Sequence, residues 1–204
     1  MRILVFGNDD SWNELTTVAN IEWIRSENPH SFHNINNIDA CFDLSDDAII
    51  NEHSIIDKPL FINAVSMPLH GLHKGSNTIR INGWPGFLAR ETWEIAGTIS
   101  TAVVETLKGL GKNLIVVPDE PGLISARIIA MIINEAYFAK SEGVSTEEEI
   151  DVAMKLGTNY PYGPFEWAHK IGIEKIFTLL SSLNKTDKRY KPCPLLEQEA
   201  FSIK

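Results

Sequence analysis

The side chains best suited to metal or redox chemistry are two cysteines that stand far apart. Neither Cys41 nor Cys193 belongs to a Cys-x-x-Cys pair or to a cluster with histidines, the spacings that metal and redox motifs show. Disulfide frameworks are typical of small secreted proteins that are much richer in cysteine. We therefore predict two buried free thiols, which behave as small hydrophobic side chains, and no metal site.

A basic cluster near the C-terminus is the second group with chemical potential. It contains Lys185, Lys188, Arg189 and Lys191, but the whole chain carries a formal net charge of −9. Binding to nucleic acid depends on neutralising many phosphates, so this charge argues against a nucleic-acid partner. We interpret the cluster as a solvated loop.

The 204 residues, 44% of them hydrophobic, suit one domain or two small ones. No apolar run approaches the roughly 20 residues of a membrane span. The run after Arg2 is too short for the apolar region of a signal peptide. We expect a cytoplasmic protein with no membrane partner.

In the first half of the chain, short β-rich runs alternate with helical patterns, which predicts a parallel sheet built from βα units. The apolar spacing of one segment predicts a helix with Ser11 as its N-cap. Predicted strands are Ile3–Phe6, Asp39–Leu44, Leu60–Val65, Thr78–Ile81 and Asn113–Val117, and predicted helices are Ser11–Arg25, Asp46–Ile56 and Thr92–Leu110.

A turn-forming segment, Pro118–Gly122, separates this half from a helical remainder. The boundary divides an α/β domain, residues 1–117, from an all-α domain, residues 118–204. We expect Gly143 to end the first long helix and Ser145 to cap the next, with Glu148 completing a capping box. Predicted helices are Leu123–Glu142, a helix from Ser145 to about Leu156 that ends at Gly157, Phe165–Ile171 and Ile173–Leu183.

Several motifs of the second half, in this order, resemble the C-terminal domain of 3-hydroxyacyl-CoA dehydrogenases. That family oxidises the 3-hydroxyl of an L-3-hydroxyacyl-CoA with NAD in fatty acid β-oxidation. The resemblance implies a shortened Rossmann-like sheet domain followed by a helical dimerisation domain, a homodimer, and acyl-CoA as ligand. The motifs are Pro121–Arg127, Asn134–Ala136, Glu142–Val144 with Ile150–Gly157, Pro161–Glu166, and Arg189–Tyr190 with Pro192–Leu196.

The resemblance also implies site residues. Thr92–Ala96 is similar to the strand that carries the family's orienting glutamate, so Glu94 takes that role and this segment becomes a strand, with a helix from about Ser100. Twelve residues earlier, Asn82 stands where the family has its catalytic histidine. Ser66 matches the family's serine, and Ala126, beside Arg127, stands at the position of its asparagine; the last two are candidate cleft residues.

An asparagine cannot accept a proton near neutral pH, and loss of a general base typically costs about 10²–10⁴ in rate. His70 and His73 are alternative bases on a predicted loop. Three functions therefore stay open. The chain is a dehydrogenase with substituted catalytic residues, a non-catalytic relative that binds acyl-CoA or a nucleotide, or a dimeric scaffold or interaction protein.

The turn that would bind NAD keeps one glycine of the family's G-x-G-x-x-G motif, Gly7, as its candidate cofactor residue. Such a turn brings a diphosphate onto a helix N-terminus. Asp9 and Asp10 place negative charge where the diphosphate would lie, and Trp12 occupies a position that requires glycine. NAD is thus implied by the resemblance but disfavoured by the residues.

Overall fold

A computed structural model of the chain describes residues 1–29, 37–46, 57–70 and 75–202. Its internal contacts divide the chain into two compact units, Met1–Leu123 and Ile124–Lys204. The sequence placed the boundary between residues 117 and 118. The segment in between lies with the first unit, where the N–H of Gly122 donates to the carbonyl of Val65 at 2.7 Å. The predicted helix Asp46–Ile56 falls, after its first residue, outside the described residues.

Seven strands of the described residues form one sheet in the order β2-β1-β3-β4-β5-β6-β7. Every neighbouring pair is parallel except β5 and β6, which are antiparallel. The predicted parallel sheet is therefore confirmed for five of the six neighbouring pairs. The exception is β5 with β6, because the connection 82–91 is shorter than the dozen or so residues of a parallel crossover. The strands are β1 (Arg2–Phe6), β2 (Glu22–Arg25), β3 (Ala40–Asp43), β4 (Leu60–Asn63), β5 (Thr78–Ile81), β6 (Thr92–Gly97) and β7 (Asn113–Val116).

The first helix, α1 (Asp9–Leu15), is much shorter than the predicted Ser11–Arg25. Its N-cap is Asn8 rather than Ser11, since the Asn8 side chain accepts the Ser11 N–H at 2.8 Å. The later part of the predicted helix instead forms β2, which pairs with β1 along the sheet edge. The helical apolar spacing forms a helix only in the short α1. The last residues of the predicted helix form a strand instead, because their backbone pairs with β1.

The core of the sheet unit is built on its three central strands, β3, β4 and β5, which are buried at every position. Phe42 and Phe61 stack with ring centroids 4.5 Å apart, and Trp93 of β6 meets Phe42 edge-on at 6.3 Å. Helix α2 (Thr101–Gly109) is capped by Ser100. The strand at Thr92–Ala96 and the helix start near Ser100 are therefore confirmed.

The second unit is helical, and its longest helix, α3, packs against α5, α6 and α7. Asn134 of α3 clamps a later segment, since its Nδ2 donates to the carbonyl of Lys191 at 3.0 Å and its Oδ1 accepts the Cys193 N–H at 2.8 Å. Both cysteines are free and buried, as predicted. The helices are α3 (Ser125–Ser141), α4 (Glu147–Thr158), α5 (Pro164–Ile171), α6 (Ile173–Asn184) and α7 (Pro194–Ser202), with a 3-10 turn at Lys188–Tyr190.

Two predicted helix ends in this unit need correction. The capping box of α4 is formed by Thr146 with Glu149, one residue later than predicted, and the hydroxyl of Ser145 contacts the same glutamate. α4 ends at Thr158 rather than at Gly157, and the residue that follows it, Asn159, adopts the left-handed conformation (φ 56°). Gly143 follows α3 with φ 72°, which confirms its role as a helix stop.

The described helices include none that is long and apolar enough to cross a membrane. Likewise, no group of three or more histidine, cysteine, aspartate or glutamate side chains in the described ranges is placed to hold a metal ion.

Asp151 joins α4 to α5. Its carboxylate is buried and accepts the backbone N–H groups of Phe165 at 2.8 Å and Glu166 at 3.0 Å. These are orphan donors of the first turn of α5, so Asp151 acts as its cap from another helix. A Cβ at Gly163 would collide with this carboxylate, which explains the glycine at the N-cap of α5.

We expect Asp151→Ala to lower the free energy of unfolding by about 1–2 kcal/mol, because two buried N–H groups lose their acceptor. Urea denaturation followed by circular dichroism measures this. The matched control is Glu135→Ala, which removes a carboxylate from an exposed position of α3 and should change stability by less than about 0.5 kcal/mol. Equal effects of the two variants would contradict the capping role.

Candidate functional site

The carboxyl ends of the parallel strands form one edge of the sheet, and polar residues gather there. β3 ends in the buried Asp43 and β4 in the buried Asn63, while the buried Asn82 directly follows β5. Open α/β sheets bind their ligands outside this edge. The edge is therefore the candidate site within the sheet unit.

Asn82 and Glu94 flank the last pair of the β5–β6 ladder. Ile81 pairs with Ile95, so Asn82 follows one partner of this pair and Glu94 precedes the other. Asn82 is buried and its Oδ1 accepts the N–H of Trp84 at 3.1 Å, whereas Glu94 is half-buried. The chemical roles of both residues stay predictions.

Ser66 lies three residues beyond β4 and is half-buried. The backbone leading to it is held by Arg80 of β5, whose Nε donates to the carbonyl of Ala64 at 2.7 Å and whose Nη2 donates to the carbonyl of Val65 at 3.0 Å. Arg80 is fully buried. An arginine thus fixes the segment that carries the predicted serine.

The counter-charge of Arg80 is Asp119, in the segment after β7. Nη1 of Arg80 donates to Oδ1 of Asp119 at 2.6 Å and to the carbonyl of Glu120 at 3.1 Å. Asp119 also accepts the backbone N–H groups of Leu69 at 3.1 Å and His70 at 2.9 Å. The pair therefore ties β5, the loop after β4 and the segment after β7 together.

The pKa values of this pair follow from its surroundings. Burial lowers the pKa of Arg80, and the hydrogen bond and charge of Asp119 oppose that shift. Burial alone would raise the pKa of Asp119, but the hydrogen bonds from Arg80, Leu69 and His70 outweigh it, so the pKa lies below the usual 3.8. Asp119 is therefore ionised at neutral pH, opposite a guanidinium that stays protonated.

Asn63 forms a close contact with the turn that follows β5. Its Oδ1 accepts the N–H of Gly83 at 3.0 Å. A Cβ at Gly83 would lie 2.7 Å from Cγ of Asn63, so only glycine allows this approach. The contact fixes the backbone next to Asn82, the residue predicted to stand at the family's histidine position.

The turn at Gly7 does not fit a dinucleotide diphosphate. A Cβ at Gly7 would lie 2.6 Å from Oγ of Ser11, so the turn is already filled by its own side chains. Asn8 occupies the N-terminus of α1 as its cap, and Asp9 pairs with Arg25 at 2.5 Å. Diphosphate binding needs free N–H groups and the absence of anionic side chains there.

The remaining predicted residues have mixed placements. Ala126 is buried and Arg127 half-buried in the first turn of α3, in the helical unit. They stay candidate cleft residues. His70 is exposed, with Nδ1 3.7 Å from Asp119, and His73 lies outside the described residues. Of the basic cluster, Arg189 pairs with Asp187 at 2.9 Å on the surface.

Sequence reasoning missed Arg80, Asp119 and Asn63. One signal was present, since a single arginine interrupts the otherwise β-forming Thr78–Ile81 segment. A charged residue in a buried strand requires a paired partner. The partner could not be identified, because Asp119 lies 39 residues further along the chain.

Comparison with known proteins supports the motifs of the second half. Residues 122–200 match the family described as 3-hydroxyacyl-CoA dehydrogenase, C-terminal domain. The 3-hydroxyadipyl-CoA dehydrogenase of Escherichia coli is 46% identical over 97 residues, 47% of this chain and 20% of that protein. A probable 3-hydroxybutyryl-CoA dehydrogenase of Bacillus subtilis is 39% identical over 98 residues, 47% of this chain and 34% of that protein. The matched part of the chain thus spans between 20% and 34% of the length of these relatives.

A solved structure extends the likeness to the whole fold. The (S)-3-hydroxybutyryl-CoA dehydrogenase of Ralstonia eutropha aligns with 98% of this chain and 93% of its own length, with a TM-score of 0.71. Sequence identity over that alignment is 18%, so the likeness concerns the fold alone. It confirms the Rossmann-like sheet unit followed by a helical unit.

We expect the stability of the wild type to fall as the pH drops below about 4. The folded pKa of Asp119 is depressed, so its contribution is complete above the unfolded value of about 3.9 and is lost as pH falls through the folded pKa. Asp119→Asn should flatten this pH dependence. At pH 7 it should cost about 3 kcal/mol, since Arg80 stays buried without a counter-charge.

Urea denaturation at a series of pH values from 7 to about 2.5 measures both effects. Glu105→Gln, on the exposed face of α2, is the control that removes a surface carboxylate. An unchanged pH slope in Asp119→Asn would show that the ion pair does not stabilise the fold.

Proposed function

We propose, on the premise that the chain belongs to the 3-hydroxyacyl-CoA dehydrogenase family through its helical unit, that it binds a 3-oxoacyl- or 3-hydroxyacyl-CoA without oxidising or reducing it. The observation that carries this proposal is the antiparallel pairing of β5 with β6, in which Asn82 and Glu94 flank the last pair, Ile81 with Ile95. By the resemblance, Glu94 is the orienting glutamate and Asn82 stands at the family's histidine position, where an amide cannot accept a proton.

Ligand binding is supported by the buried polar side chains and the fixed backbone at this edge of the sheet. Asn82 and Asn63 are buried polar side chains there, and Arg80 fixes the backbone next to Ser66. Polar groups placed on a rigid strand end are typical of binding sites. The relatives that share the helical unit are named for CoA esters, which makes an acyl-CoA the ligand class to test.

The proposed function does not involve NAD. The family is NAD-dependent, which makes NAD a plausible cofactor by resemblance. The turn at Gly7, however, is closed by Ser11 and Asn8 and carries acidic residues. The alternative of an active enzyme with substituted residues requires both a different base and a different way to bind the dinucleotide.

Calorimetry should detect binding of acetoacetyl-CoA to the wild type. NADH oxidation with the same ester should be undetectable, whereas an active relative assayed in parallel should oxidise NADH. Ser66→Ala should weaken binding by about 2–10-fold, the effect of one lost hydrogen bond. The control is Ser76→Ala, in an exposed turn. Turnover that disappears in Glu94→Gln would contradict the proposal and establish an active dehydrogenase.

We also propose that the chain is a homodimer formed through its helical unit. α4 exposes apolar side chains, with Val152 at 52% and Leu156 at 83% exposure, and Val144 in the turn before it is 70% exposed. Val152 and Leu156 are one turn apart and share a helix face. An exposed apolar face of this kind favours a protein–protein interface. If the chain forms this dimer but binds no ligand, it is the dimeric scaffold of the alternative hypothesis.

Light scattering should therefore give the mass of a dimer for the wild type. Val152→Lys combined with Leu156→Lys should shift the protein to the monomer, because two charges would be buried in the contact. Thr158→Lys, at an exposed position on the other side of the same helix, should leave the dimer intact. A monomeric wild type would contradict the homodimer without affecting the ligand proposal.

A further inference from the structure

We propose that Glu14 of α1 is a positioning residue for Asn82 at the candidate site. Its carboxylate holds the turn that follows Asn82, and this turn sets the direction of the Asn82 carboxamide. The inference rests on the proposed function, to which it adds a residue from a helix. Glu14 acts through the backbone of the turn and does not itself contact the ligand.

The turn comprises residues 84–87, in the connection between β5 and β6. The carbonyl of Trp84 accepts the N–H of Phe87 at 3.0 Å, which closes a four-residue turn with Pro85 second and Gly86 third. Gly86 has a φ of 85°, the left-handed value required at the third position of a type II turn. The N–H of that position is not used inside such a turn, so it needs an acceptor from elsewhere.

Glu14 supplies this acceptor from a position 72 residues earlier in the chain than Gly86. Its Oε1 accepts the Gly86 N–H at 2.7 Å, a short hydrogen bond of the kind that a carboxylate strengthens by its charge. The first residue of the turn is bound in the other direction, since the N–H of Trp84 donates to Oδ1 of Asn82 at 3.1 Å. The contacts therefore run from Glu14 to the turn and from the turn to Asn82.

The backbone on both sides of the turn is fixed by other residues. Before it, the N–H of Gly83 donates to Oδ1 of Asn63 at 3.0 Å. After it, the carbonyl of Leu88 accepts a hydrogen bond from Nζ of Lys112 at 2.9 Å. Without its central contact, the turn would pivot between these two fixed ends and carry the Asn82 carboxamide to a new direction.

The second carboxylate oxygen of Glu14 argues against a purely structural role. Oε2 is buried and has no hydrogen-bond partner in the described part of the chain. An unpaired buried polar atom destabilises a fold, and a charged one does so more than a neutral one. A glutamine could accept the Gly86 N–H without burying a charge, so stability alone does not explain the glutamate. Side chains that lower stability in this way are typical of functional sites.

The test compares Glu14→Met with Glu14→Gln, two side chains of similar size of which only glutamine keeps a strong acceptor. Glu14→Met should weaken the binding of acetoacetyl-CoA by about tenfold, because the lost hydrogen bond is to a charged group. Glu14→Gln should bind within about twofold of the wild type. Asn13→Ala, exposed on the same helix, is the control and should bind as the wild type does. Thermal unfolding checks that each variant is folded.

A second readout needs no ligand. In ¹⁵N-labelled protein, the side-chain amide signals of Asn82 should move in Glu14→Met and stay near their wild-type positions in Glu14→Gln. The backbone signal of Gly86 should move in both variants, because its acceptor is lost in one and neutral in the other. If Glu14→Met does not fold, Glu14→Ala takes its place in both measurements.

The outcomes separate the two proposals. If Glu14→Met lowers only the unfolding temperature and changes neither the Asn82 signals nor ligand binding, Glu14 merely stabilises the fold and this inference is wrong, while the proposed function stands. The inference is also wrong if Glu14→Gln weakens binding as much as Glu14→Met. If the wild type binds no CoA ester, the proposed function is wrong, and the Asn82 signals alone decide whether Glu14 positions this residue.

Discussion

The buried guanidinium of Arg80 is the constraint on which the candidate site depends. Three backbone carbonyls and one carboxylate oxygen accept its hydrogen bonds. The planar fork of an arginine can reach several acceptors at fixed angles, and a lysine cannot replace it. Because Arg80 is fully buried, each of these acceptors is needed to offset the cost of removing the charge from water. Arg80 therefore fixes the two segments that surround the end of β4.

This arrangement has a consequence for the binding edge. The Arg80–Asp119 pair has a structural role. Its hydrogen bonds are made with other groups of the protein, so it offers no charge to a ligand. Around it, the edge carries the neutral polar side chains of Asn63 and Ser66. The edge is thus suited to carbonyl or hydroxyl groups rather than to phosphates, in agreement with the closed turn at Gly7.

Sequence patterns predicted what depends on neighbouring residues. The strand at Thr92–Ala96 and the twelve-residue relation between Asn82 and Glu94 are local, and these two residues flank the last pair of the antiparallel ladder, Ile81 with Ile95. The helix Ser11–Arg25 was wrong because β2 exists only through its pairing with β1. Arg80 was missed for the same reason, since its partners come from distant parts of the chain. Periodicity reports which face is apolar, but it cannot report which segments pair.

The two units carry different kinds of information about function. In the helical unit, the motif residues Asn134 and Asp151 bind backbone groups within the fold, so their retention requires no ligand. In the sheet unit, Asn63 and Arg80 likewise bind backbone groups, since Oδ1 of Asn63 accepts the Gly83 N–H and Arg80 donates to the carbonyls of Ala64 and Val65. These contacts fix the backbone at the carboxyl end of the parallel strands. Open α/β sheets bind their ligands outside this edge, so the sheet unit, rather than the helical unit, is the place where a ligand should be sought.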